Sequence, residues 1–314
     1  MSGLEVIKTG PQVVLEDLGR PGLASIGVSR SGAADFASYL LGGRLVGHSF
    51  DRELGHGLAG GFAEGGPGPA ALEVLLGGLV ARAHGDLTIA LTGAPTGPTI
   101  DGRRIDEDAP VRMHDGEVLS LGVPEQGLRT YVSVRGGFDV EPVLGSRSRD
   151  TLSGIGPVVE PGTFLPVGQT NSEPQPFVDH VTLAPPTGDL VDLEVLPGPR
   201  GDWLDDLGKL ASTYWTASLR SNRVGLRLTG PALKRRPDRV GVELPSEGAV
   251  RGTIQVPHGG EPVIFLADHP VTGGYPAVGV LTRDSVNRAA QIRPGQEVKL
   301  RFVTKDTTGG TVSP

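Results

Sequence analysis

The sequence VELPSEGAVRGTIQVPHGGEPVIFLADHPVTGGYPAVGVL, residues 242–281, alternates short apolar runs with glycine-rich turns. The runs at 252–256, 262–266 and 278–281 have the length and the β-branched content of strands. The turns at 258–260 and 273–274 are of the kind that joins neighbouring antiparallel strands. This alternation predicts a mainly β fold.

The same stretch carries polar groups that are costly to bury unless they are paired. They lie in or beside the predicted strands: Glu243, Glu247, Arg251, Gln255, Asp268 and His269. Gly273 and Gly274 can adopt positive φ and expose N–H groups next to Tyr275. One interpretation is a binding site at one end of the sheet, and the alternative is a set of solvated charges on ordinary turns.

Composition limits the class of protein. The 314 residues suit two domains, and the 49 glycines and 27 prolines indicate dense turns between many short strands. A net charge of −7 and an aromatic content of 4% argue against nucleic acid or an anionic membrane as a partner. The absence of cysteine excludes disulfides, thiolate nucleophiles and cysteine-ligated metals.

Several common sites have no motif in this sequence. There is no G-x-x-x-x-G-K-[ST] loop for ATP, and the seven histidines never fall at H-x-H or H-x₃-H spacing, so no metal site is expected. Met113 has no neighbouring lysine, so the chain is not expected to carry biotin covalently. No apolar signal segment and no apolar run of 18 residues occur, which predicts a cytoplasmic protein without a membrane partner.

The chain is predicted to form two β-rich units. Strand patterns recur every 8–12 residues from residue 4 to 134, with a type I′ hairpin at Asp101-Gly102, and begin again at 190. Short helices are predicted to start at Ser31, to span 203–210 and to span 285–291, and residues 48–68 are predicted to form a surface loop. The predicted boundaries are 1–186 for the first domain, 187–305 for the second and 306–314 for a disordered tail.

Two loops rich in arginine allow two interpretations each. Residues 16–22, with Asp17 and Arg20, could be a loop held by its own ion pair or an anion-binding corner. Residues 144–156, with Arg147, could be a solvated loop or a cradle for an anion. The residues alone leave both questions open.

Several motifs in the same order resemble one family. They are DLGRPG (17–22), YVSVRGGF (131–138), VLGSRS (143–148), SNRVG (221–225), LPSEG (244–248) and TGGYP (272–276). The sequence resembles the allophanate hydrolase subunit 2 family, also called the KipA family or the family of 5-oxoprolinase C subunits, over about residues 3–303. It is also similar to subdomains A and B of the carboxyltransferase domain of urea carboxylase.

The resemblance implies a fold, a partner and a reaction. The C-terminal half would be a cyclophilin-like barrel, and the chain would pair with a protein of the subunit 1, KipI or 5-oxoprolinase B type. With a third, A-type protein, the pair would open 5-oxoproline to glutamate at the expense of ATP. The alternatives are carboxyl transfer from biotin on a separate carrier, as in urea carboxylase, and a non-catalytic KipA-like regulator of a KipI-type histidine-kinase inhibitor. A prolyl isomerase is disfavoured because aromatic residues are scarce.

We expect the site to bind a small carboxylate or amide and to be completed by a second polypeptide. Arginines would hold a carboxylate, glycine N–H groups would stabilise an oxyanion, and Asp268 or His269 would transfer a proton. The candidate catalytic residues are Asp268, His269 and Glu247. The candidate binding residues are Asp17, Arg20, Arg135, Gly136, Gly137, Arg147, Arg223, Gln255, Thr272, Gly273, Gly274 and Tyr275.

Overall fold

The computed structural model describes residues 2–50, 68–169, 188–305 and 311–312. The chain divides into two compact units, Met1–Leu23 with Arg30–Pro185 and Ala24–Ser29 with Pro186–Pro314. The predicted boundary near residue 186 and most of the predicted loop at 48–68 lie outside the described residues. So does most of the predicted disordered tail.

The N-terminal unit is built from eleven described strands. They are β1 Gly3–Lys8, β2 Gln12–Glu16, β3 Ala71–Leu75, β4 Val80–His84, β5 Leu87–Gly93, β6 Thr99–Ile100, β7 Arg103–Arg104, β8 Pro110–Met113, β9 Val118–Ser120, β10 Arg129–Val134 and β11 Phe164–Pro166. One sheet has the order β11-β1-β4-β9-β6-β7, and the other has the order β2-β3-β10-β5-β8. Apolar side chains of both sheets form one core, which includes Leu4, Leu72, Ile89, Leu119 and Val132.

The turn between β6 and β7 confirms the predicted hairpin. Asp101 and Gly102 have φ values of 48° and 78°, and the type I′ turn requires a positive φ at both central residues. Thr99 pairs with Arg104 and Ile100 with Arg103 across this turn.

Helix α1, Phe36–Leu45, packs on β5 and β10. Its predicted start at Ser31 was wrong, because Asp35 is the N-cap. The Asp35 carboxylate accepts hydrogen bonds from the backbone N–H groups of Ala37 and Ser38, which is the usual role of a cap side chain. Ser31 lies before the helix with a φ of 55°.

The C-terminal unit contains a closed seven-stranded barrel. The described strands of the whole unit are β12 Leu190–Pro197, β13 Tyr214–Ala217, β14 Gly225–Thr229, β15 Glu247–Gly248, β16 Thr253–Gln255, β17 Val263–Phe265, β18 Thr272–Gly273, β19 Ala277–Leu281, β20 Glu297–Phe302, β21 Thr304–Lys305 and β22 Thr311–Val312. The barrel order is β12-β19-β16-β17-β14-β13-β20, and β15-β18 and β21-β22 are separate two-stranded ribbons. Trp215 is fully buried in the barrel core. The predicted mainly β fold is confirmed.

The described part of this unit has two short α-helices, α2 Gly208–Ser212 and α3 Arg283–Ala290. The single helix predicted over 203–210 was wrong. A turn of 3₁₀ helix at Gly201–Trp203 ends where Leu204 becomes extended and forms a β-bridge with Arg235. The chain turns again at Asp206, whose carboxylate accepts a hydrogen bond from Gly208 N, before α2 begins.

Candidate functional site

Asp17 fastens two distant loops of the N-terminal unit. Its carboxylate is fully buried. Oδ1 accepts hydrogen bonds from the Oγ atoms of Ser146 and Ser148, each at 2.6 Å, and from Gly19 N at 2.7 Å. Oδ2 accepts from Arg147 N at 2.7 Å. All four donors belong to the protein, so the geometry favours the interpretation of residues 16–22 as a loop held by its own contacts.

The arginines near this corner are also engaged in holding loops. Arg147 donates from Nε to Val140 O at 2.6 Å, and Arg149 donates from Nη1 to Gly154 O at 2.6 Å and to Gly156 O at 2.8 Å. Arg20 is 1% exposed and donates from Nη2 to Ser148 O. Its Nε and Nη1 have no hydrogen-bond partner in the part of the chain that the structure describes.

Arg135 lines a cavity of about 500 Å³ in the N-terminal unit. Its Nη1 donates to Val46 O at 3.2 Å. The N–H of Gly137 is used by Val134 O at 2.9 Å, which argues against the predicted oxyanion role for that group. Gly136 has a φ of 94° and lies against Gly168, where a Cβ would come within 2.2 Å of the Gly168 carbonyl oxygen. The cavity is lined by Ser2, Asp86, Leu87, Thr88, Arg135, Val167, Gly168 and Gln169.

His48 is a titratable group that the sequence patterns did not single out. Burial, and then the charge of Arg135, lower the pKa of His48 from 6.5 to about 4. Its Nε2 is buried and has no hydrogen-bond partner among the residues that the structure describes. The folded protein therefore holds this ring neutral.

We expect acid to destabilise the protein through His48. Because the folded pKa lies below the unfolded value, the unfolded chain binds more protons between pH 6.5 and 4, so stability is complete above pH 6.5 and falls towards pH 4. The loss should reach about 3 kcal/mol at pH 4. Denaturant unfolding followed by circular dichroism at pH 7 and 4.5 checks this. His48→Gln should reduce the difference in the free energy of unfolding between the two pH values. His114→Gln, at a side chain that is 62% exposed, should leave that difference unchanged.

In the C-terminal unit, Arg223 and Asp268 form a buried two-point ion pair. Nε of Arg223 lies 2.9 Å from Oδ2 of Asp268, and Nη2 lies 3.1 Å from Oδ1. The two side chains are 1% and 0% exposed. Because both carboxylate oxygens hold the guanidinium, the geometry favours a positioning role for Asp268 over the predicted proton transfer.

His269 follows this ion pair directly and is 7% exposed. Its ring stacks on Phe265, with centroids 5.7 Å apart and planes 8° apart. Nδ1 lies 2.8 Å from Pro270 O. Since a carbonyl oxygen only accepts, the neutral ring carries its proton on Nδ1, and Nε2 keeps the lone pair that could accept a proton.

Glu247 is held by Arg200, a residue that was not predicted. Nε of Arg200 lies 3.0 and 3.1 Å from the two carboxylate oxygens of Glu247, and Nη2 also contacts Oε1. The hydrogen bond from Arg200 lowers the pKa of Glu247. Glu247 is therefore a carboxylate at neutral pH and is poorly suited to donate a proton.

The β15–β18 ribbon brings the remaining candidates together. Glu247 pairs with Gly273, and Gly248 pairs with Thr272. Gly273 packs on the side-chain amide of Gln255, which is 5% exposed. Tyr275 is 40% exposed and makes an edge contact with the His258 ring at 5.6 Å. Thr272 is exposed, and Gly274 lies next to Leu244 O.

The predicted residues thus form separate groups within each unit. In the N-terminal unit Asp17, Arg20 and Arg147 share one corner. In the C-terminal unit one group comprises Arg223, Asp268 and His269, and another comprises Arg200, Glu247, Gln255 and Gly273. The candidate residues come from both units, and that they form one binding site stays a prediction. Ser146 and Ser148 lie in the motif VLGSRS (143–148), and Arg200 directly follows LPGP (196–199), a further segment that resembles the family. These positions were the signal that could have found the three residues.

Within the described ranges, no three His, Asp or Glu side chains converge on a point that could hold a metal ion. Of the helices described, none has the length and apolar character needed to cross a membrane.

A family model described as "Carboxyltransferase domain, subdomain A and B" matches residues 26–302. The chain belongs to this carboxyltransferase family. It is 33% identical to the C subunit of 5-oxoprolinase from Escherichia coli over 301 residues, which cover 94% of this chain and 89% of that protein. It is 29% identical to urea amidolyase of Saccharomyces cerevisiae, covering 95% of this chain and 16% of that protein.

The fold of this carboxyltransferase-family chain matches a solved relative. The crystal structure of K. lactis urea amidolyase superposes with a TM-score of 0.83 at 27% identity, covering 96% of this chain and 19% of that one. The chain therefore spans nearly all of the bacterial relative but less than a fifth of the two urea amidolyases. These relatives are named as enzymes or as subunits of enzymes.

Proposed function

We propose that this chain is the C-type subunit of a heteromeric, ATP-dependent 5-oxoprolinase. The observation that carries the proposal is the similarity to the C subunit of Escherichia coli 5-oxoprolinase, which extends over almost the whole of both chains. The reaction would be hydrolysis of the lactam bond of 5-oxoproline to give glutamate, coupled to ATP hydrolysis. An A-type and a B-type protein would act with this chain in the cytoplasm.

Within such a complex, the residues of this chain would bind and orient the substrate. ATP would bind elsewhere in the complex, because the sequence has no P-loop. The Arg223–Asp268 pair would fix the segment that carries His269, and Nε2 of His269 would accept a proton as water attacks the lactam carbonyl. The buried corner at Asp17 would maintain the shape of the N-terminal unit.

A second candidate is the carboxyltransferase part of a urea carboxylase. The family description and the fold match to K. lactis urea amidolyase favour it. In that case biotin on a separate carrier would bring the carboxyl group, and urea would accept it. This chain would then be one piece of a much larger enzyme, as the 16% coverage of the yeast relative illustrates.

Co-expression of the tagged chain with A-type and B-type 5-oxoprolinase proteins from the same organism tests the proposal. We expect the three proteins to copurify and to consume 5-oxoproline only when ATP is present. His269→Ala should remove most of this activity, while His258→Ala, at an exposed ring, should keep more than half of it. Carboxylation of urea by carboxybiotin, with no loss of 5-oxoproline, would favour the second candidate instead.

A further inference from the structure

The cavity beside Arg135 has no role in the reaction proposed above. Its volume is about 500 Å³, which is in the usual range for a small-molecule site. It lies where four strands begin or end: Ser2 precedes β1, Leu87 begins β5, Arg135 follows β10 and Val167 follows β11. Every residue that lines it belongs to the N-terminal unit, whereas His269 belongs to the C-terminal unit.

Two opposite charges, Arg135 and Asp86, line this cavity. Leu87 and Ile89 point into the apolar core, so Thr88 between them points to the other face of its sheet. Arg135 N donates to Thr88 O at 2.8 Å, which places Arg135 beside Thr88 on the neighbouring strand. Asp86 lies two residues before Thr88, about 7 Å away along an extended chain. One small ligand can therefore reach both charges.

Arg135 is anchored by helix α1. Its Nη1 donates to the carbonyl oxygen of Val46, the C-cap residue of α1, at 3.2 Å. A guanidinium carries several N–H groups, so it can hold this carbonyl and also bind a carboxylate. The anchor orients the guanidinium before a ligand arrives, which lowers the entropy cost of binding.

Asp86 is fixed by contacts with β8 and the turn that follows it. Its Oδ2 lies 2.8 Å from Nη2 of Arg112, and its Oδ1 accepts a hydrogen bond from Asp115 N at 3.2 Å. Because Arg112 pairs with Thr88, this contact places the Asp86 carboxylate on the same face of the sheet as Arg135. The hydrogen bond from Arg112 lowers the pKa of Asp86, which keeps the side chain charged. Each carboxylate oxygen can accept more than one hydrogen bond, so Asp86 can also bind an ammonium group.

A free α-amino acid carries a carboxylate and an ammonium group on the same carbon atom, and these are the complements of Arg135 and Asp86. We propose that the cavity binds a free α-amino acid, with its α-carboxylate on Arg135 and its ammonium group on Asp86. Glutamate, the product of the proposed reaction, is such a ligand, and this identity rests on the proposed function. 5-Oxoproline lacks the ammonium group because its nitrogen belongs to the lactam. The cavity would therefore distinguish the product from the substrate.

Isothermal titration calorimetry of the full chain tests this assignment. The ligands are L-glutamate, L-alanine and glutarate, which has the carbon chain and both carboxylates of glutamate but no ammonium group. The variants are Arg135→Met and Asp86→Asn. The matched controls are Arg103→Met and Asp106→Asn, at exposed residues of the same unit that do not line the cavity. Thermal unfolding of each variant identifies any that misfold.

We expect the unaltered chain to bind glutamate at least about tenfold more tightly than glutarate, because glutarate cannot make the charged hydrogen bond to Asp86. Asp86→Asn should weaken glutamate binding by at least about tenfold without weakening glutarate binding. Arg135→Met should weaken both ligands by at least about tenfold, and neither control should change glutamate binding by more than about twofold. An excess of 5-oxoproline should not displace glutamate.

Equal affinity for glutamate and glutarate, displacement of glutamate by 5-oxoproline, or folded Arg135 and Asp86 variants that bind glutamate normally would overturn the assignment. So would a chain that binds neither amino acid. Binding of alanine but not glutamate, with the same dependence on Asp86, would support the α-amino acid site and reject glutamate as its ligand.

The site and the proposed function can fail separately, because binding is measured on this chain without its partners. Glutamate binding by a chain whose complex does not consume 5-oxoproline would support the site and reject the proposed function. Consumption of 5-oxoproline by the complex, with no amino acid bound by the chain, would reject the site and support the proposed function.

Discussion

Arg223→Ala should lower the free energy of unfolding of the C-terminal unit by about 3–5 kcal/mol. Arg223 and Asp268 are 1% and 0% exposed, and the guanidinium of Arg223 donates a hydrogen bond to each carboxylate oxygen of Asp268. Removing the arginine leaves a buried negative charge without its main partner, which is the costly event.

Tryptophan fluorescence reports this unfolding selectively. The chain has only two tryptophans, Trp203 and Trp215, and both belong to the C-terminal unit. The matched control is Arg301→Ala, which breaks a half-exposed pair with Asp192 at 3.7 Å and should cost at most about 1 kcal/mol. If Arg223→Ala were no more destabilising than Arg301→Ala, the ion pair would not hold this segment of the barrel.

A variant that replaces both partners distinguishes two quantities. One is the destabilisation caused by removing the partner of a buried charge, and the other is the net contribution of the ion pair to the free energy of unfolding. The double variant Arg223→Met, Asp268→Leu removes both charges and should be more stable than either single variant. Its His269 should nevertheless lose catalytic function if the pair positions that ring. We therefore expect the double variant to be more stable than the single variants but to remain inactive.

Asp17→Ala should destabilise the N-terminal unit by about 3–4 kcal/mol, because four donors lose a buried charged acceptor at once. Hydrogen exchange measures this locally, since Gly19 and Arg147 both donate their backbone N–H groups to the carboxylate. Exchange at these two amides should accelerate most.

The control for this variant is Asp139→Ala. Asp139 contacts the same Arg147 side chain at 3.3 Å, but it is 65% exposed. Its removal should change stability by no more than about 1 kcal/mol. Equal effects of the two substitutions would mean that Asp17 does not fasten the 144–150 loop to the 17–22 turn.

Local patterns predicted the fold well because strands and turns leave short-range signals. Asp101-Gly102 specified its turn type, since few residue pairs accept positive φ at both positions. Local patterns failed where a distant contact overrode them. Leu204 pairs with Arg235 instead of continuing a helix, and the helix start depends on which of two capping side chains, Ser31 or Asp35, faces the free N–H groups.

The candidate site was less predictable because its contacts join distant positions. Ser146 and Ser148 reach Asp17 across about 130 residues, and Arg200 reaches Glu247 across 47. A sequence pattern identifies such residues only as polar groups in turns. It cannot say that Arg223 and Asp268 form a buried ion pair with each other.

The formation of glutamate from 5-oxoproline by purified A-type and B-type proteins, with and without this chain, tests the central claim most directly. We predict ATP-dependent glutamate formation when all three are mixed, a loss of at least tenfold when this chain is omitted, and little rescue by the His269→Ala chain. Equal glutamate formation in the presence and absence of this chain would contradict the account.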